Sequence, residues 1–177
     1  GMSHHQAQFL NAATLNMPRV RGNKPCFALG THILTPMGDR LIQDLKVGDL
    51  LETLDHVAQP IRAMGVKCYE ALDDLAPIRF KAGTLNNEHD LCVTAGHRIR
   101  FAGWQADLLF GEWEVRVAAR DFVNGVDVTR DVGGMVRYGY LGFDAHHIIF
   151  AERVPVDSAQ VDPMMSPKVK GADKLAF

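Results

Sequence analysis

Short strand-like runs separated by turn residues are the feature that most constrains the fold of this chain. From residue 26 onward, apolar runs are broken by Gly, Asn, Asp and Pro at intervals of about 8–12 residues, which is typical of an all-β sandwich or barrel. Pro36-Met37-Gly38 between two such runs predicts a hairpin, and the helical pieces expected are short, such as residues 118–123. The predicted strands are residues 31–35, 39–42, 50–54, 61–69, 77–81, 91–94, 98–101, 114–118, 126–129, 136–143 and 148–151.

Composition narrows the class of protein. The 177 residues carry a formal net charge of -2, so we expect no nucleic acid as a main partner. No apolar run approaches the ~18 residues of a membrane span, and no secretory signal is visible, so a cytoplasmic protein without membrane contact is expected. The three cysteines lack the spacing of a disulfide framework and are expected to be reduced thiols, and no cofactor is predicted.

The character of the chain changes sharply at Cys26. Residues 2–25 hold few large apolar side chains and end in an extended, basic stretch, which predicts a flexible leader. Residues 26–158 carry the strand pattern and form the predicted domain. Residues 159–177 are polar and interrupted by proline, which predicts a flexible tail. A cysteine therefore stands on the first residue of the domain, directly after Pro25.

A cysteine in this position can attack the carbonyl of the residue before it. Attack by Cys26 on Pro25 would move the acyl group from nitrogen to sulfur and form a thioester. A thiol with the ordinary pKa of ~8.5 needs a base, and the departing backbone amine needs a proton. His97 is the candidate proton donor, since histidine titrates near neutral pH. Thr94, three residues earlier, could orient His97 or hydrogen-bond the amide of the scissile bond.

Two further candidates lie late in the sequence. His146 or Asp144 could deprotonate Cys26 or help to resolve the thioester, although Asp144 could equally be a turn residue. Adjacent strand residues face opposite sides, so one of His146 and His147 is expected at the site. Cys26, His97 and His146 could bind zinc if they converged, but the chain lacks C-x-x-C or H-E-x-x-H spacing, and no metal is predicted. Cys68 and Cys92 are expected to pack in the core.

Five sequence blocks, in this order, resemble the Hint (hedgehog/intein) family of autoprocessing domains. They are CFAxGTxIxTPxG at residues 26–38, IxxLxxGDxxxTxD at 42–55, LxVTxxHR at 91–98, VAARDFVNG at 117–125 and YLGFDAHHIIFA at 140–151. The resemblance is greatest to bacterial stand-alone or C-terminal modules. It implies the all-β Hint fold, a compact pseudo-symmetric disk of many short strands, with Cys26 as nucleophile. The bacterial spacing favours His146 at the site, whereas intein spacing favours His147.

The sequence also departs from that family. Pro25 gives a hindered carbonyl with a fixed φ, so its thioester should form slowly. No His-Asn pair ends the domain, so splicing is not expected. Glu152-Arg153 replaces a usual glycine, and Asp157-Ser158 stands in for a Glu-Ser pair. Two functions follow as hypotheses: a domain that cleaves its own N-terminal segment rather than an external substrate, or a slow or inactive Hint-fold module that acts through binding.

Overall fold

The computed structural model describes residues 24–161, so residues 2–23 of the predicted leader and 162–177 of the predicted tail lie outside it. Between these limits the chain forms short strands, one α-helix, α1 (Trp104–Phe110), and 3-10 helices at Ile42–Asp44, Asp73–Leu75 and Ala119–Phe122. The strands are β1 (Cys26–Ala28), β2 (His32–Thr35), β3 (Gly38–Leu41), β4 (Leu50–Leu51), β5 (Gln59–Pro60), β6 (Ala63–Glu70), β7 (Ile78–Phe80), β8 (Leu91–Val93), β9 (Arg98–Ala102), β10 (Glu114–Ala118), β11 (Val128–Arg130), β12 (Met135–Phe143), β13 (Ile148–Ala151), β14 (Val154–Asp157) and β15 (Ala159–Gln160).

Two sheets contain most of these strands. A seven-stranded sheet has the order β11-β7-β8-β1-β12-β15, with β6 also paired to β12. A six-stranded sheet has the order β10-β9-β14-β13-β2-β3, and β4 pairs with β5 separately. The chain passes between these two sheets at β1–β2, β8–β9, β10–β11, β12–β13 and β14–β15, and also from β3 to β6 by way of β4 and β5. The architecture is all-β, as the spacing of turn residues predicts.

Strand β1 lies in the interior of the seven-stranded sheet. It runs antiparallel to β12, where Cys26 pairs with Tyr140, and antiparallel to β8, where Phe27 pairs with Val93. The side chains of Cys26 and Phe27 are both buried. A strand flanked on both sides must satisfy its backbone groups within the sheet, so the first residue of the predicted domain is fixed in the core.

The hairpin predicted around Pro36-Met37-Gly38 is confirmed. Strands β2 and β3 pair antiparallel, with Thr35 opposite Gly38. The Thr35 hydroxyl donates to the Gly38 carbonyl at 2.7 Å and accepts from the Met37 N–H at 3.0 Å. Gly38 has φ +110°, a left-handed conformation that other residues rarely adopt. Local turn chemistry therefore determines this part of the fold.

Strands β1, β5, β14 and β15 and helix α1 are among the elements that the sequence did not predict. Strand β14 contains Pro155, which weakens a strand pattern. Strand β15 begins just beyond Ser158, the predicted end of the domain, and pairs in parallel with β12. Helix α1 is bounded by Gly103 and Gly111, and its Trp104 and Leu108 side chains are exposed, so no buried apolar face marks it in the sequence. None of the helices found within residues 24–161 has the length and apolar character needed to cross a membrane.

We expect Gly139→Ala to destabilise the domain. A Cβ at Gly139 would lie 2.8 Å from the Cδ1 of Ile42, a buried side chain that packs on this strand. Overpacking of this kind costs about 1–3 kcal/mol in the free energy of unfolding, which urea denaturation would measure. A loss below about 0.5 kcal/mol would contradict the close contact.

Ile42→Val is the matched variant, because it removes the Cδ1 atom that the added methyl would meet. Alone it should cost about 0.5–1.5 kcal/mol. In the double variant, the added methyl takes up part of the vacated space, so the combined loss should be smaller than the sum of the two single losses. Additive losses would show that the two positions are not in contact.

Candidate active site

The Thr94 hydroxyl contacts the backbone on both sides of Pro25. The Cys26 N–H, which is the amide of the Pro25–Cys26 bond, donates to Thr94 Oγ1 at 3.1 Å. The hydroxyl in turn donates to the carbonyl of Lys24. The Thr94 N–H donates to the Cys26 carbonyl at 3.1 Å, because Thr94 directly follows β8, the neighbour of β1. The Thr94 side chain is therefore hydrogen-bonded both to the nitrogen of the candidate scissile bond and to the carbonyl of Lys24, the residue before Pro25.

His97 lies at the other end of the turn that begins at Thr94. Its N–H donates to the Thr94 carbonyl at 3.0 Å, which explains the three-residue spacing in the sequence. Its Nδ1 lies 3.2 Å from the Cys26 carbonyl oxygen, and its Nε2 lies 2.8 Å from the Asp157 carbonyl oxygen. The ring is fully buried and packs edge-on against Phe27, with centroids 4.6 Å apart.

The proton on His97 has two possible acceptors. Burial lowers the pKa of the imidazole, and the carbonyls of Asp157 and Cys26 offset this only in part. A neutral imidazole has a single N–H, and the shorter contact assigns it to Nε2, which donates to Asp157. The lone pair of Nδ1 then faces the Cys26 carbonyl. A second proton would bind at Nδ1, next to Cys26.

The Cys26 thiol is held in its protonated form. Burial raises the pKa of this thiol to about 12, and the positive charges of Lys24 and Lys67 lower it only in part. At neutral pH the resting site therefore contains a thiol and a neutral imidazole. Neither group is in the protonation state that thioester formation requires.

Asp157 connects His146 to this site. It is the last residue of β14, and its carboxylate Oδ1 lies 3.3 Å from His146 Nε2 and 3.4 Å from Arg116 Nη1. The same residue accepts from His97 through its backbone carbonyl. The sequence points to the Asp157-Ser158 pair but does not place Asp157 among the site residues. The contact with His97 is made by a backbone carbonyl, which every residue type has, so the sequence cannot reveal it.

Asp144 and His147 have other contacts. The Asp144 carboxylate is 72% exposed and accepts from Arg62 Nε at 2.9 Å, so the structure places it in a surface ion pair. The His147 ring packs against Phe143 with centroids 5.7 Å apart. The backbone N–H of His147 donates to Ser158 Oγ at 3.0 Å. Of the two neighbouring histidines, His146 is the one that faces Asp157.

Two surface clefts border these residues. One, of about 380 Å³, includes both residues before Cys26 in its lining. It is lined by Lys24, Pro25, Gly96, Arg98, Tyr140, Asp157, Ser158, Ala159 and Gln160. The other, of about 350 Å³, is lined in part by His146 and His147. Solvent can therefore approach the Pro25 side of the candidate scissile bond although the thiol itself is buried.

The zinc ligands considered from the sequence are not brought together. Both ring nitrogens of His97 face backbone carbonyls, and His146 faces Asp157 rather than Cys26. Within residues 24–161, the three potential ligand atoms that do converge belong to His32, His89 and Glu152, all within 4.8 Å of one another.

Comparison with known proteins places this geometry in a family. The family model described as "Hint domain" matches residues 25–163. The MchDnaB-1 intein has a crystal structure with a TM-score of 0.50 and 18% identity, covering 75% of this chain and 99% of its own. The bacterial intein-like domain from Clostridium thermocellum has a TM-score of 0.52 and 14% identity, covering 74% and 96%.

A variant of the AceL NrdHF class 3 split intein is similar as well, with a TM-score of 0.50 and 15% identity, covering 77% of this chain and 99% of its own. At such identities the likeness is one of fold. A search of curated protein sequences found no match. The family model spans most of the chain, and the strands it covers form the all-β Hint fold. This chain belongs to the Hint domain family.

Proposed function

We propose that this domain cleaves its own backbone at the Pro25–Cys26 bond, with its own N-terminal segment as the substrate. The observation that carries the proposal is the set of contacts around Cys26. Thr94 accepts from the nitrogen of this bond, and His97 Nδ1 lies 3.2 Å from the carbonyl of the same cysteine. Membership of the Hint family supports this class of chemistry.

The first step forms a thioester. The Cys26 sulfur attacks the Pro25 carbonyl carbon, the carbon–nitrogen bond breaks, and the acyl group remains on sulfur. The departing nitrogen takes a proton from His97 Nδ1, the ring nitrogen that lies beside Cys26. Water from the cleft next to Pro25 then hydrolyses the thioester, which releases the N-terminal segment as a carboxylate and restores the thiol.

The protons needed for this step are already present in the site. Thiol plus neutral imidazole holds the same number of protons as thiolate plus imidazolium, so the reactive state needs only a transfer from Cys26 to His97. Burial raises the pKa of the thiol to about 12 and lowers the pKa of His97, and both shifts oppose this transfer. The reactive pair is therefore present in only a small minority of the chains. This small population, with the hindered Pro25 carbonyl, supports slow cleavage.

The same burial favours a second candidate function. Burial raises the pKa of the Cys26 thiol to about 12, and a protonated, unreactive thiol is also compatible with the core of a Hint-fold module that has no catalytic activity. Such a module would act through binding, and Cys26 would be a packing residue. The two candidates differ in whether the Pro25–Cys26 bond is ever cut.

Among the thiols, cleavage should depend on that of Cys26 and not on that of Cys68. We expect hydroxylamine or dithiothreitol to release a fragment ending at Pro25, detected by mass spectrometry, because both reagents capture a thioester. Cys26→Ala should release none. Cys68→Ala is the matched control and should cleave like the unmodified protein. An intact mass after several days would favour the binding module instead.

The pH dependence of the cleavage rate should show whether one proton is transferred between Cys26 and His97. We expect a nearly constant cleavage rate between about pH 7 and 9, because raising pH increases thiolate and decreases imidazolium by the same factor. With His97→Asn the acid is removed, so the rate should be lower but rise about tenfold per pH unit toward the thiol pKa of about 12. A tenfold rise per pH unit in the unmodified protein would exclude His97 as the proton donor. Circular dichroism at each pH would confirm that both chains remain folded.

Thr94→Val tests the hydrogen bonds that the Thr94 hydroxyl makes on either side of Pro25. Valine keeps the shape but leaves the Cys26 N–H and the Lys24 carbonyl without the hydroxyl, so cleavage should slow by at least about tenfold. The free energy of unfolding should fall by about 1–3 kcal/mol, the cost of unsatisfied buried groups. Thr94→Ser keeps the hydroxyl and should cleave at nearly the original rate. Equal rates for the two variants would show that the hydroxyl plays no part.

A further inference from the structure

Three side chains outside the Cys26 site converge from separate segments. His32 begins β2, His89 lies between β7 and β8, and Glu152 lies in the turn between β13 and β14. His32 Nδ1 is 2.9 Å from Glu152 Oε2, and His89 Nδ1 is 3.0 Å from Glu152 Oε1. The two imidazole rings stack with centroids 4.9 Å apart. One donor atom from each side chain lies within 4.8 Å of the other two.

The backbone holds Glu152 in an uncommon conformation. Glu152 and Arg153 form the two-residue turn of the β13–β14 hairpin with φ of 50° and 69°, values at which asparagine or glycine is usual. Left-handed non-glycine residues persist where the surroundings fix them. Here the Glu152 N–H donates to the His32 carbonyl at 2.8 Å, and the His32 N–H donates to Glu152 Oε2 at 2.8 Å. The carboxylate is thereby fixed beside the two rings.

The charges around this cluster favour a cation. The Glu152 side chain is only 3% exposed, and both its oxygens face imidazole nitrogens. The neighbouring cation, Arg153, is engaged by Asp39 at 3.0 and 3.1 Å. A buried carboxylate whose neighbouring guanidinium is engaged by another acid is stabilised by a bound positive charge.

We propose that His32, His89 and Glu152 bind a divalent cation of the zinc class. Two imidazole nitrogens and a carboxylate oxygen are a ligand set that zinc accepts, with a fourth position left for water. Ligand atoms about 2.0–2.1 Å from a tetrahedral zinc stand about 3.3 Å apart. His32 and His89 contact different oxygens of the Glu152 carboxylate, at 2.9 and 3.0 Å, so a carboxylate that binds through both oxygens keeps each imidazole beside it. The three donor atoms, which lie within 4.8 Å of one another, would draw closer around the ion, and both rings are partly exposed, which leaves a path for it. The site is separate from Cys26 and does not require cleavage.

Titration of the full chain with zinc chloride tests the site. The protein is purified without nickel resin and freed of metal with a chelator that is then removed. Calorimetry should show one zinc bound per chain, and the Tm should rise with zinc. His32→Asn and His89→Asn should each lower the affinity by more than about 100-fold, since even loss of a second-shell partner costs about 10–100-fold.

His56→Asn is the matched control. His56 is also an exposed histidine, and its φ of 68° suits asparagine, so this variant should bind zinc like the unmodified protein. Cys26→Ala should bind zinc equally well. Absence of binding to the unmodified chain, or unchanged affinity in both His32→Asn and His89→Asn, would overturn the proposal.

Cobalt provides a second measurement that needs no variant. A Co²⁺ ion bound by two imidazoles and a carboxylate should give visible absorption without a thiolate charge-transfer band. Such a band, or loss of zinc binding in Cys26→Ala, would place the metal on the thiol and would overturn the assignment to His32, His89 and Glu152.

Discussion

The burial of Cys26 between two neighbouring strands is the constraint on which the rest of the site depends. Because β1 has β8 on one side and β12 on the other, the N–H and carbonyl of Cys26 must find partners inside the protein. Thr94 supplies them for both groups, and His97 adds a ring nitrogen beside the carbonyl. The turn from Thr94 to His97 also joins the two sheets, so the same contacts that satisfy β1 hold the sheets together at the candidate scissile bond.

This burial stabilises the fold and opposes the chemistry at the same time. It raises the pKa of the Cys26 thiol and lowers that of His97, so both groups rest in their neutral forms. The site nevertheless holds all the protons that the first step needs, and the barrier lies in moving one of them. The proposed self-cleavage would therefore be slow under this constraint.

The sequence predicts those parts of the fold that local chemistry determines. The β2–β3 hairpin follows from its turn residues, and the Thr94–His97 spacing follows from one turn of backbone. Whether β1 lies inside a sheet or at its edge depends on pairing with β12, more than a hundred residues away, which residue type does not reveal. Asp157 escaped prediction for a related reason, since its contact with His97 is made by a carbonyl that every residue possesses.

The candidate metal site and the candidate cleavage site are carried by the same three segments. His32 follows Cys26 by six residues, His89 precedes Thr94 by five, and Glu152 precedes Asp157 by five. Each proposed metal ligand is therefore only five or six residues along the chain from Cys26, Thr94 or Asp157, which belong to the candidate cleavage site. A cation that tied the three ligands together would restrict the relative motion of these segments, and proton transfer between two buried groups is sensitive to such motion. The Glu152-Arg153 turn, with φ of 50° and 69°, places the Glu152 carboxylate beside His32 and His89 rather than beside the thiol.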